Sequence, residues 1–275
     1  MLVKARTLPA DEVVIDLEDA VAPAQKESAR DATLAALSEN DWQARSIAVR
    51  VNGADTPWFE SDVGALADSA GEVLGSLVVP KVEAAGDLAR LDDLLATADS
   101  RRGTSLGVQA LIETAAGLAR VNEIAMSSPR LEALIIGYAD LAASLGRPPS
   151  ARHDPGRWAF TLDAVLVAAR SAGIQAIDGP HLQIDDLEGL ELAATRARDL
   201  GYDGKWALHP SQIDPINQIF TPTPDELGRA EAILAALEEA EGGGGAGAAL
   251  LDGERVDEAS RKLARHVLAR APEPR

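Results

Sequence analysis

Seven short β-branched runs, each followed by a longer Ala/Leu-rich stretch with helical spacing, constrain this chain more than any other feature. The runs fall at 13–17, 46–51, 76–80, 107–112, 133–137, 174–178 and 205–208. Amphipathic stretches lie between them, among them 28–37, 84–98, 114–125, 158–172 and 187–200. An alternation that repeats about every 30 residues is the mark of βα units and a parallel sheet. Eight such units close a TIM (β/α)8 barrel, and 275 residues is an ordinary length for one. Seven units can be counted, and the absent one reads as the first. Residues 1–8 read as the tail of a helix leading into Pro9-Ala10-Asp11, with no strand before them. The alternative is an open, doubly wound sheet of seven strands. It is disfavoured because no Gly-rich phosphate loop follows the first strand.

The rhythm breaks near the C-terminus. A helix is expected over 224–241, and the Gly-rich stretch after Glu241 reads as a flexible linker. The segment Leu251-Asp252-Gly253-Glu254-Arg255-Val256-Asp257 and a last helix over 258–271 follow. The expected division is a barrel over 1–241 and a linker with a lid or subunit-exchange helix over 242–275. A plainly docked terminal helix is an equal reading. A net charge of -18 argues against a nucleic-acid or anionic-membrane surface. No Cys is present, which excludes disulfides and thiolate metal sites and suits a cytoplasmic location. No apolar run approaches about 18 residues, so no membrane span is expected. The opening residues lack the apolar core of a signal peptide.

Charge gathers where a barrel keeps its chemistry. In Val13-Val14-Ile15-Asp16-Leu17-Glu18-Asp19, three carboxylates crowd the end of a strand, costly unless they bind or pair with something. Period-two alternation sends Val13, Ile15 and Leu17 to the helices, and Val14, Asp16 and Glu18 inward. By the same count Arg50 and Asn52 point inward, as do Gln109, Leu111 and Glu113, and Asp178 is assigned with these polar strand ends. Glu113 and Asp140 close adjacent strands, and two such carboxylates, completed by waters and substrate oxygens, suit Mg²⁺. For Asp140 a helix N-cap is an equally good reading. Arg50 and Lys81 are candidates to hold an anion. For Lys81 a solvated rim base is the plain alternative, whereas an inward Arg needs a carboxylate or phosphate partner. His209, at the end of the last strand, is more readily structural than catalytic. No Ser/His/Asp triad, Zn spacing, P-loop or dinucleotide fingerprint is present.

Six motifs occur in one order: Asp16-Leu17-Glu18-Asp19-Ala20-Val21 with Lys26 and Arg30, Val49-Arg50-Val51-Asn52, Val79-Pro80-Lys81, Leu111-Ile112-Glu113-Thr114, Gly137-Tyr138-Ala139-Asp140-Leu141 and Leu208-His209-Pro210-Ser211-Gln212. In this the chain resembles the citrate lyase beta-subunit and malyl-CoA lyase family, within the HpcH/HpaI aldolase superfamily, over nearly its whole length. The resemblance implies a TIM barrel, Mg²⁺ dependence with Mn²⁺ as a substitute, and carbon–carbon bond cleavage or formation in a CoA thioester. It implies that Glu113 and Asp140 are the metal ligands, with Glu113 also lining the substrate site, and that Arg50 steadies an oxo-acid or thioester oxygen. Asp16, Glu18 and Asp19, with Lys81, become a supporting shell around the metal and its waters. Lys26 and Arg30 limit repulsion or meet the CoA phosphates. Asp257 matches a C-terminal catalytic acid/base whose segment closes over a barrel, its own or a neighbour's. The implied partners are an acyl-CoA thioester and a small oxo acid, in a trimeric or hexameric homo-oligomer.

Two departures from the family pattern stand out. Relatives carry an N-terminal strand, ending in a Pro/Gly turn, before the helix where this sequence opens, so the expectation is either a truncated gene model or a start at an internal Met. Relatives often place Pro two residues after the catalytic Asp, where this chain has Ala259. Two other functions fit the residues: a metal-dependent aldolase for free 2-oxo acids, and a non-catalytic acyl-CoA-binding subunit.

Overall fold

The computed structural model describes residues 2–39, 41–69, 73–102, 105–148, 155–242 and 247–272. The elements in chain order are α1 (Leu2–Ala5), β1 (Glu12–Asp16), α2 (Lys26–Leu37), β2 (Ser46–Arg50), α3 (Phe59–Ser69), β3 (Leu74–Val79) and α4 (Ala85–Arg102). Next come β4 (Gly107–Ile112), α5 (Ala115–Ala119), α6 (Val121–Ala125), β5 (Leu131–Ile136), α7 (Tyr138–Ser144), α8 (Ala159–Ala172), β6 (Gln175–Asp178), α9 (Leu187–Leu200) and β7 (Gly204–Lys205). The chain ends with α10 (Ile213–Phe220), α11 (Pro224–Gly242), β8 (Ala248–Leu251), β9 (Glu254–Asp257) and α12 (Glu258–Ala269).

All seven expected strands form, and β1 to β7 pair in sequential order, each parallel to the next. The sheet curls strongly. Gln109 Nε2 on β4 lies 2.8 Å from Glu12 Oε1 on β1, although strands three apart in a flat sheet are separated by about 14 Å. One apolar residue from each of six strands meets in a single inner layer: Val14, Ala48, Val78, Leu111, Ile135 and Ile177, with Trp206 just past β7. Such layers fill the centre of a (β/α)8 barrel. The unit is therefore an incomplete TIM-like barrel whose free edges are β1 and β7, where an eighth strand would complete closure.

The strongly periodic helices appear as expected, except that the 114–125 pattern breaks into α5 and α6 at Arg120. Three helices escaped the pattern. Gly64, Ser61 and Asp68 weaken the helical signal of α3, α10 contains Pro215, and α7 has only seven residues. Gly173 and Gly201 end α8 and α9 in the left-handed conformation, at φ 72° and 107°, where a Cβ is penalised.

The chain divides into two compact units, 1–216 and 217–275, rather than at the Gly-rich stretch near 242. The physical reason is that α11 packs against α12 and the β8–β9 hairpin. That hairpin is antiparallel, pairing Ala248 with Asp257, in a segment where no strands were expected. Among the described residues no helix is long and apolar enough to cross a membrane.

Candidate active site

The residues on the inner face at the C-terminal ends of β1 to β5 form one ionic network. Asp16, the last residue of β1, stands opposite Arg50, the last of β2, in the parallel register. Arg50 Nε and Nη2 donate to the two Asp16 oxygens at 2.8 and 2.6 Å, a bidentate pair. The N–H groups of Glu18 and Ala20 also donate to Asp16, at 2.8 and 3.1 Å. Burial alone would raise the Asp16 pKa, but the hydrogen bonds and charge of Arg50 and the two backbone donors outweigh it and hold the carboxyl below its usual range. For Arg50 the Asp16 and Glu18 charges likewise overcome burial and lock the guanidinium in its charged form. Its carbon lies 5.8 Å from the Trp206 ring centre, across the inner layer.

Glu18 is buried. Its Oε1 accepts from Lys81 Nζ. Its Oε2 lies 2.9 Å from Arg50 Nη1, off the line a hydrogen bond needs, so that oxygen is buried without a donor. Glu113, directly after β4, is 2 % exposed and accepts a hydrogen bond from the Lys81 backbone N–H at 2.9 Å. Burial, then the charges of Glu18 and Asp140, push its pKa up to about 7, against the smaller pull of Lys81. A Cβ on Gly137 would lie 2.4 Å from Glu113 Oε2, so only glycine leaves this carboxylate its place. Asp140 sits in the first turn of α7, whose N-cap is Gly137. The cap reading therefore fails, and among the described residues no donor reaches the Asp140 carboxylate.

These facts fit a hard divalent cation. Glu113 and Asp140 present oxygen ligands from neighbouring strand ends, repel one another, and lack enough local positive charge to keep Glu113 ionised at its ordinary pKa. A cation between them would reverse that balance. Among the described residues no third Asp, Glu or His joins them, so water and substrate oxygens would complete the coordination.

Several expected roles change. Asn52 does not face the interior: its side chain donates to Asp62 on α3 at 2.6 Å, because β2 ends at Arg50 and the alternation stops there. Arg30 binds the same buried Asp62 at 3.1 Å. Lys26 is buried with Nζ on the Leu17 and Glu18 carbonyls, at 2.8 and 2.7 Å. Lys26 thus braces the acidic turn, while Arg30 ties α2 to α3. Asp19 is exposed and acts on the network only through its charge on Lys81.

Asp178 also leaves the inner face, since Ile177 occupies it. It lies buried behind the sheet, bonded to Tyr138 Oη at 2.6 Å and Lys205 Nζ at 2.5 Å. This triad ties β6 and β7 to the start of α7. Alternation does not reveal it, nor the role of Gly137, and the one available signal is a Gly directly before the Tyr138-Ala139-Asp140 turn. His209 forms a capping box with Gln212, a structural role. Asp257 lies in the C-terminal unit, where it caps α12 by accepting from the Ala259 N–H at 3.0 Å. A surface concavity of about 520 Å³ on α9, lined by Glu191, Leu192, Thr195 and Asp199, borders none of the site's carboxylates.

Known proteins are similar to this chain in sequence and fold. Residues 1–210 match the family model described as HpcH/HpaI aldolase/citrate lyase. An L-malyl-CoA/beta-methylmalyl-CoA lyase of Cereibacter sphaeroides is 38% identical over 95% of this chain and 87% of its own length. A (3S)-malyl-CoA thioesterase of the same species is also 38% identical, over 98% and 90%. The crystal structure of the protein CitE from Mycobacterium tuberculosis, in complex with magnesium, acetoacetate and coenzyme A, superposes with a TM-score of 0.73. It is 31% identical and covers 95% of this chain and 90% of that one.

Proposed function

The chain belongs to the HpcH/HpaI aldolase/citrate lyase family, and from that premise we propose that it is a Mg²⁺-dependent carbon–carbon lyase. Its substrate is a hydroxyacyl-CoA thioester of the malyl, citramalyl or citryl type, and its products are an acyl-CoA and an oxo acid, with condensation as the reverse. The observation that carries this is the pairing of Glu113 with Asp140 at adjacent strand ends, beside an Arg50 pinned by Asp16 and Glu18.

A divalent cation held by Glu113 and Asp140, with Mn²⁺ replacing Mg²⁺, supplies Lewis acidity for the oxo-acid oxygens and offsets the acidity of the site. The chain's own residues do the rest. A guanidinium has five N–H donors, and Asp16 takes two of those on Arg50. Donors therefore remain to hold a developing oxyanion at a fixed place. Asp16 and Glu18 keep that guanidinium charged and immobile, which lowers the cost of orienting substrate. Asp257 moves the substrate hydroxyl proton, once its segment closes over a barrel. The assembly is proposed to be a homo-oligomer, trimeric or hexameric, in which that barrel is its own or a neighbour's.

The equal identity to a thioesterase supports a second reading, in which the same site hydrolyses the thioester. Malyl-, citramalyl- and citryl-CoA, each incubated with and without Mg²⁺, separate the two. Lyase activity yields an oxo acid and an acyl-CoA, and thioesterase activity yields free CoA and a hydroxy acid. No metal-dependent turnover of any of the three would refute both.

A further inference from the structure

We propose that Lys81 positions the metal carboxylate Glu113 through its backbone rather than its ammonium group; this rests on the metal-site reading above and deepens it. Lys81 has φ 53°, and Asp252 is the other non-glycine residue with positive φ among the described residues. A long side chain in the left-handed region is disfavoured, and such a conformation persists only where surrounding structure imposes it.

Here three constraints impose it. Pro80 comes before, with its own φ held near −65° and no N–H to offer. After it, the Val82 N–H donates to the Leu111 carbonyl of β4 at 3.4 Å. The Val82 carbonyl sits so close to Gly117 that a Cβ there would lie 2.3 Å away. The turn leaving β3 is thus clamped to β4 and to the segment just beyond it, on both sides of Glu113. Clamped in this way, the Lys81 N–H points at Glu113 Oε1, 2.9 Å away. The other oxygen, Oε2, is directed toward Gly137, where the turn carrying Asp140 begins. One backbone donor therefore holds one carboxylate oxygen and leaves the other on the side where that turn begins. The ammonium group is engaged elsewhere, with Glu18 as its partner, and the side chain that carries it is 39% exposed.

The test is direct Mn²⁺ binding, read by the loss of the free-ion electron paramagnetic resonance signal. Lys81→Gly deletes the ammonium but retains the N–H and adopts positive φ freely, so its Kd should stay within about 3-fold of the unmutated protein. Lys81→Val retains the N–H, but a β-branched residue resists φ 53°. The turn should relax, withdraw the donor and weaken Mn²⁺ binding by about 10-fold, the range of one hydrogen bond to a charged group. Binding weakened about 10-fold or more in Lys81→Gly would overturn the proposal, and so would unchanged binding in a folded Lys81→Val. If Lys81→Val does not fold, Lys81→Gly alone decides. Absence of Mn²⁺ binding in the unmutated protein is a different result, since it refutes the metal reading itself and this inference with it.

Discussion

Replacing Glu113 by Gln should stabilise the metal-free protein at alkaline pH while abolishing its response to divalent cations. A carboxyl moved from its ordinary 4.5 to about 7 resists ionisation in the fold by about 3 kcal/mol. Because the folded pKa lies above the unfolded one, the native state holds more protons than the unfolded chain between those values. Stability therefore falls as pH rises from 4.5 to about 7, and the full penalty applies above about pH 8. Gln is close in shape, stays neutral, and still offers an oxygen to the Lys81 N–H. The variant should match the parent near pH 4.5 and exceed it by about 2–3 kcal/mol at about pH 8, in EDTA, by urea denaturation. Added Mg²⁺ should close the gap by stabilising the parent alone. A variant equal to or less stable than the parent at about pH 8 would refute the claim that uncompensated carboxylate charge defines this site.

Four further outcomes follow from named contacts. Gly137→Ala places a methyl 2.4 Å from Glu113 Oε2, so it should displace the carboxylate and weaken Mn²⁺ binding about 10-fold or more in a titration. Tyr138→Phe removes one hydrogen bond to Asp178 and should cost about 1–3 kcal/mol. Asp178→Ala leaves the buried Lys205 ammonium with the Gly179 carbonyl but no carboxylate partner and should cost about 3–5 kcal/mol by urea denaturation; a cost below that of Tyr138→Phe would refute the pairing. Asp257→Asn preserves a capping side chain and should leave Mn²⁺ affinity unchanged while lowering turnover by roughly 10²-fold or more. Unchanged turnover on malyl-type thioesters would remove Asp257 from the mechanism.

Much of this was legible in the chain. The seven strands follow from local β-branched runs, and their parallel order from the helices between them. The inner face of β1, β2 and β4 followed from alternation alone, which placed Val14, Arg50, Gln109 and Leu111 correctly. Alternation failed where strands end, because a period-two rule holds only while the backbone stays extended. Asn52 lies two residues past β2 and turns to Asp62 instead. On β6, a strand of four residues, the inward assignment of Asp178 failed, because Ile177 is the residue that joins the layer contributed by the other strands.

The elements, their order, and which strand ends carry charge are properties of residues near one another along the chain, and the chain's own pattern settles them. The curl of the sheet decided the rest. Only that curl brings Glu12 on β1 to Gln109 on β4, stacks Arg50 toward Trp206, and sets Glu113 among Glu18, Asp140 and the Lys81 N–H. A carboxylate is acidic or basic according to its burial and its neighbours. At Glu113 those neighbours come from the ends of β1, β3 and β5, and no reading of the residues adjacent in sequence contains them.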